Sequence, residues 1–189
     1  RYYLIKEVSF GNDGNISQEK LESCINSDLA NNFGNLCQRV IAFIDKNLNL
    51  KIPNSFNFNE DDKKLLDNFK LKYDFLITNI NNQNINIYVN FIQEQLFNAN
   101  KYFNDQEPWK KKSDLNRLNT ILYVSLEVIR KVSILLYPII PTTSLKVLKI
   151  FGINEKQIDI SSIQKHEVLK VGDNIDKINI LFKKIEKND

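Results

Sequence analysis

The stretch D-L-A-N-N-F-G-N-L-C-Q-R-V-I-A-F-I-D-K-N, Asp28 to Asn47, decides the fold. Leu29, Phe33, Leu36, Val40, Phe43 and Ile44 recur at i, i+3, i+4 and i+7, the spacing of an apolar stripe on an α-helix. Asn31, Asn35 and Arg39 recur at i, i+4 and i+8 and rise as a ladder of hydrogen-bonding groups. At about 100° per residue, Asn35 and Arg39 point roughly 90–130° away from the centre of the stripe. One edge of this helix is built for a core, and another presents amide and guanidinium groups outward.

The remainder of the chain repeats the first pattern. Leu65, Leu66, Phe69, Tyr73, Leu76 and Ile80 form a second stripe, opened by Asp61 and Asp62 at a helix N-terminus. Ile85, Tyr88, Ile92, Leu96 and Ala99 form a third, ending near Asn104. The longest predicted helix is capped by Ser113 or Asp114 and carries Leu115, Leu118, Leu122, Ile129 and Leu136 on one side. Ile121, Val124 and Val128 widen its stripe, which predicts a central position. Pro138 and Pro141 break it, Thr142 or Thr143 caps a shorter helix, and Gly152 closes that one. Upstream, Ser17 is the expected N-cap of a helix through Leu21 and Ile25. Ser9 to Asn15 reads as a turn in which Gly11 and Gly14 are free to take positive φ, and Arg1 to Val8 fits helix or strand equally. The expected fold is an all-α antiparallel helical bundle with a C-terminal tail that either wraps it or hangs loose.

Composition agrees with that class. The 189 residues are 42 % hydrophobic and 26 % charged with only 5 Gly and 4 Pro, which favours long helices over turn-rich β architecture. A net charge of +3 and a pI near 8.7 admit a nucleic-acid partner without requiring one. No apolar run reaches the roughly 18 residues of a membrane span, and no signal peptide is expected. The chain starts at Arg1 and contains 0 Met, so a piece of a longer cytoplasmic protein is expected. Cys24 and Cys37 are expected as reduced, buried thiols; with 1 His and no Cys-x-x-Cys, no zinc site is expected. His166 has no nucleophile beside it and reads as a partly exposed surface imidazole. No catalytic residue and no cofactor is assigned to this segment.

Trp109 is the sharper feature. It is the 1 Trp, it follows Pro108, and Lys110, Lys111 and Lys112 come next. Two readings stay open: an indole folded back to plug the bundle, or a flat surface on which a base stacks, worth about 1–3 kcal/mol per base. The three lysines, with Lys46, are candidate phosphate contacts. The Asn31, Asn35 and Arg39 ladder taken alone is a polar flank; taken with a stacking indole, it has the donors needed to read the edge of an unpaired base.

These residues sit in a longer resemblance. R-Y-Y-L-I-K-E-V-S-F-G-N-D-G-N-I-S (Arg1 to Ser17) and N-S-D-L-A-N-N-F-G-N-L-C-Q-R (Asn26 to Arg39) closely resemble the methionyl-tRNA synthetases just after their catalytic domain. E-P-W (Glu107 to Trp109), L-L-Y-P-I-I-P (Leu135 to Pro141) and I-L-F-K-K-I-E (Ile180 to Glu186) extend the likeness over nearly the whole chain. The resemblance implies the helical anticodon-binding domain of a class I synthetase. The first anticodon base of methionine tRNA would be read by Asn35 and Arg39 and stacked on Trp109 after Pro108, with Asn31 one turn earlier. It implies a linker over 1–16, the anticodon-binding bundle over 17–152 and a tail over 153–189. ATP and methionine would bind in a catalytic domain of the same chain, whose signatures are absent here, and the piece would be monomeric. Two other classes stay open: a helical protein-interaction module, and the anticodon domain of a sister synthetase for valine, isoleucine, leucine or cysteine.

Overall fold

A computed structural model of the chain describes residues 1–8, 11–54 and 57–186. The expected turn at Ser9 and Phe10, and Ser55 and Phe56 in the loop after Pro53, lie outside the described residues, as do 187–189. Among the described residues the chain is helical, with one isolated antiparallel bridge between Lys51 and Asn174. Helix α1 (Tyr2–Glu7) leads in. A continuous rod follows, made of α2 (Gln18–Cys24), a π-helical stretch (Ile25–Gly34) and α3 (Asn35–Leu48). Then come α4 (Glu60–Leu71), α5 (Tyr73–Asn81), α6 (Ile85–Gln106), α7 (Leu115–Leu136) and α8 (Pro141–Ile150).

Side-chain pairings give the helix directions. Asn32 meets Gln93 and Asn100 while Arg39 meets Asn104, so rod and α6 run the same way. Asn68 meets Gln95 and Asp61 meets Gln106, so α4 runs against α6. Tyr88 bonds the Leu135 carbonyl and Gln106 meets Arg117, so α7 runs against α6 too. Rod, α4, α6 and α7 therefore alternate as an antiparallel four-helix bundle. Helix α7 is buried from Thr120 through Leu136, as the width of its stripe predicts.

Ser17 caps α2 by accepting from the Lys20 N–H, and Asp114 caps α7 by accepting from Arg117 N–H. Gly152 takes φ +72 after α8. Other expectations are corrected. Gly14 does not need positive φ; a Cβ there would lie 2.3 Å from Val8 Cγ2, so its requirement is close packing. The stripe from Leu65 to Ile80 belongs to two helices hinged at Lys72, with neither Gly nor Pro marking the bend. Leu115 faces out, 60 % exposed, because it is the first helical residue and precedes the packed part of α7. Pro141 occupies the first turn of α8 with Ile140 at the cap, so neither Thr142 nor Thr143 caps it.

The tail packs. Ile163, Leu169 and Ile175 join the same core. Ile52 and Ile175 exchange backbone bonds with Asp173 and Leu50. Phe182 packs on Phe33, and the Asn26 side chain bonds both the N–H and the carbonyl of Ile185. No helix of the described residues is long and apolar enough to cross a membrane.

Candidate nucleic-acid interface

On α3, burial of Leu36 and Val40 turns Asn35 and Arg39 toward the edge of the rod, where both are half-buried. The Arg39 guanidinium donates from Nη2 to Asn104 Oδ1 at 2.7 Å and lies 5.1 Å from the centroid of the Phe103 ring. Phe103 is buried at the end of α6, with Phe43 edge-on behind it. Among the described residues no side-chain hydrogen bond ties down the Asn35 or Asn31 amide, and Asn31 is exposed in the π-helical stretch.

Trp109 arrives from the other side by a tight local turn. Helix α6 ends because Glu107 takes φ +46, and its N–H closes onto the Asn104 carbonyl. Pro108, its φ already fixed, starts a single 3₁₀ turn from Pro108 to Lys110. That turn lays the indole against Phe103, ring centroids 6.3 Å apart at 62°. Pro108 is buried beneath it while Trp109 stays 42 % exposed. The indole is thus neither a plug nor a free side chain: one edge is seated on the core and a large part faces solvent.

A buried ionic knot holds both ends of this loop. Asp62 is buried and completes a capping box with Asn59 at the start of α4. Arg117 of α7 grips both its oxygens, at 2.6 and 2.9 Å, and also donates to Gln106 Oε1 at 2.6 Å. The Tyr102 hydroxyl donates to Asp62 as well; burial, then that carboxylate, push its pKa far up. Tyr102 in the last turns of α6 and Arg117, the third residue of α7, are therefore bolted to one carboxylate, and Gln106 joins them through Arg117.

The structure thus brings Arg39 and Trp109 together across Phe103, with Asn35 one turn from Arg39. The lysines differ among themselves: Lys110 pairs with Glu107 at 2.7 Å, Lys111 is half-buried, and Lys112 and Lys46 are exposed. Phe103 and Asn104 went unassigned in the sequence reading. The signal was present, since Leu96, Ala99 and Phe103 continue the α6 stripe. The expectation for His166 is also amended. It is half-buried and bridges α7 and α4, with Nδ1 2.9 Å from Lys131 Nζ and Nε2 2.8 Å from Asp67 Oδ1. Cys24 and Cys37 are free and buried.

Comparison with known proteins gives the family and the fold. The family described as "Anticodon binding domain of methionyl tRNA ligase" matches residues 52–189, and "tRNA synthetases class I (M)" matches residues 1–41. Similar curated proteins include the methionine–tRNA ligases of Thermotoga maritima, 36 % identical over all of this chain and 30 % of its own length, and of Brucella melitensis, 40 % identical over 80 % of this chain and 30 % of its own. The chain thus spans about 30 % of the length of these relatives. Among solved structures, the apo form of Mycobacterium tuberculosis methionyl-tRNA synthetase superposes with a TM-score of 0.92 at 31 % identity, over 99 % of this chain and 38 % of that one. The same enzyme in complex with methionyl-adenylate gives 0.89 at 32 % identity, over 96 % and 36 %.

Proposed function

Because the chain belongs to the family of methionyl-tRNA ligase anticodon-binding domains, we propose that it reads the anticodon of methionine tRNA within a methionine–tRNA ligase. The observation that supports the reading is the convergence of Arg39 and Trp109 on one buried ring, Phe103. An unpaired base laid on the exposed indole presents its hydrogen-bonding edge to the Arg39 guanidinium and the unengaged Asn35 amide, the arrangement by which single-stranded RNA is read. Stacking supplies affinity and the edge contacts supply discrimination, so the first anticodon base is distinguished from its alternatives. Asn31 and Pro108 complete the site, one as a further amide and the other as the seat of the indole. Exposed Lys112 and Lys46, with Lys110 and Lys111, serve the phosphates of the loop.

In this reading the chain contributes recognition and none of the chemistry. Charging of the tRNA with methionine, at the expense of ATP, belongs to a catalytic domain of the same polypeptide, acting as a cytoplasmic monomer. Residues 1–16 couple the two parts, 17–152 form the anticodon-binding bundle, and the tail from 153 braces it. The test is binding of methionine tRNA to the chain and to its Trp109→Ala variant. The variant is expected to lose about 1–3 kcal/mol of binding. Equal binding by the variant, or equal binding of a tRNA with a changed first anticodon base, overturns the assignment.

A further inference from the structure

The solvent face of α6 is polar at Asn90, Glu94, Lys101, Asn104 and Asp105, yet Phe97 stands among them 64 % exposed. Phe97 precedes Asn104 by seven residues, about 700° of helix, so the two side chains leave α6 on nearly one line about 10.5 Å apart. Asn104 is the residue that holds Arg39. Between them Asn100 donates to the carbonyl and the side-chain oxygen of Asn32 across the gap to the rod. The seam between α6 and the rod therefore has a floor of paired amides. Arg39 and Trp109 stand at one end, and Phe97 stands at the other.

We propose that Phe97 is a second stacking platform for the same RNA, receiving an unpaired base of the loop two or three nucleotides from the one on Trp109. The spacing along α6 is of the right order, since the roughly 10.5 Å from Phe97 to Asn104, the residue that anchors Arg39, is about three stacked base heights at roughly 3.4 Å each. A single aromatic ring ringed by amides and a Lys101–Asp105 pair is too small an apolar area for a protein partner, which needs roughly 800 Å² per side. One ring face is what a base needs. The inference rests on the reading of Arg39 and Trp109 as the base-reading pair. It adds a separable property: stacking tolerates any base, so Phe97 raises affinity without discriminating among anticodons.

The test uses a hairpin with the methionine anticodon loop, a second hairpin with a changed first anticodon base, and 2-aminopurine placed at successive loop positions. Phe97→Ser, at an exposed site, is expected to weaken both hairpins by the same factor, about ten- to a hundredfold. It should also abolish fluorophore quenching at one loop position other than the first anticodon base, and Phe97→Trp should restore both. Trp109→Ala and Arg39→Ala serve as the reference for the main site. If they weaken binding while Phe97→Ser binds and quenches like the unchanged chain, the second platform is refuted and the main site stands. If neither reference variant has an effect, the main site falls and the second platform with it.

Discussion

Arg39 is held at two points before any RNA arrives, by the Asn104 amide oxygen and by the face of Phe103. A guanidinium carries five donors in a rigid plane, so one bond to Asn104 leaves the others free and aimed. Asn104→Ala should leave the fold intact, since that residue is exposed, but release Arg39 to other rotamers. Discrimination between cognate and altered anticodon hairpins is then expected to fall about tenfold, on the scale of a net hydrogen bond of roughly 1–1.5 kcal/mol. Arg39→Ala should flatten discrimination further. Lys112→Ala should weaken both hairpins alike and reduce the salt dependence of binding by about one phosphate contact. Competition binding of the two hairpins at two salt concentrations checks all three variants, and unequal losses in Lys112→Ala would contradict its role.

At the scale of elements, the loop bearing Trp109 depends on the carboxylate of Asp62, which joins α4, α6 and α7. Removing one partner of a buried pair leaves the other uncompensated, so Asp62→Ala is expected to cost about 3–5 kcal/mol in denaturant unfolding. In the same variant the Trp109 fluorescence should become more accessible to a quencher, because both ends of its loop are loosened. Gly34 ends the π-helical stretch for a comparable structural reason: a Cβ there would sit 3.1 Å from the Leu29 carbonyl oxygen and 3.5 Å from Phe182. Gly34→Val should cost about 1–3 kcal/mol by overpacking and free the segment carrying Phe182, so that proteolysis at Lys183 or Lys184 accelerates. Neither device was legible in advance. The 3.6-residue period of Leu29 to Ile44 announces a helix, but it does not distinguish α from π winding, which is a matter of hydrogen-bond register. Asp62 looked like dipole compensation because its partners, Tyr102 and Arg117, lie 40 and 55 residues away. Asn35, Arg39 and Trp109 are legible as residue types, while Phe103, the ring that joins Arg39 to Trp109, is legible only as one more core position of the α6 stripe.

For the whole molecule, the least expected property is charge inside the core. Glu127, Arg130 and Lys131, within about one turn of α7, are all buried, charges that a reading of apolar stripes passes over. Each ties down the tail. Glu127 accepts from the Val168 and Leu169 N–H groups and from Arg130, and Arg130 donates to Ser162 and the Lys165 carbonyl. Lys131 faces His166, the Leu66 carbonyl and the Phe69 ring. Burial pushes the Lys131 ammonium down to about 7, outweighing the attraction of Glu127 and Asp67. Above that value the folded chain holds the amine neutral while the unfolded chain still binds the proton, so stability rises with pH. The rise is limited from above. Burial lifts Cys24 to about 11 and raises Cys37 and the hydroxyls of Tyr2, Tyr88, Tyr102 and Tyr123 beyond their ordinary ranges. Their neutral forms are favoured by folding, so that stability is complete below the ordinary thiol and phenol values and is lost as pH climbs past them. Between about pH 7 and 9 the lysine dominates, and at about 1.4 kcal/mol per unit the chain should gain roughly 2 kcal/mol across that window. Above it the slope should reverse. Lys131→Met, close in shape and uncharged, should erase the gain and leave the later loss untouched. Urea unfolding of both proteins at pH 7, 8, 9 and 10.5 measures this directly, and a parent chain with no rise between 7 and 9 would refute the depressed Lys131 ammonium.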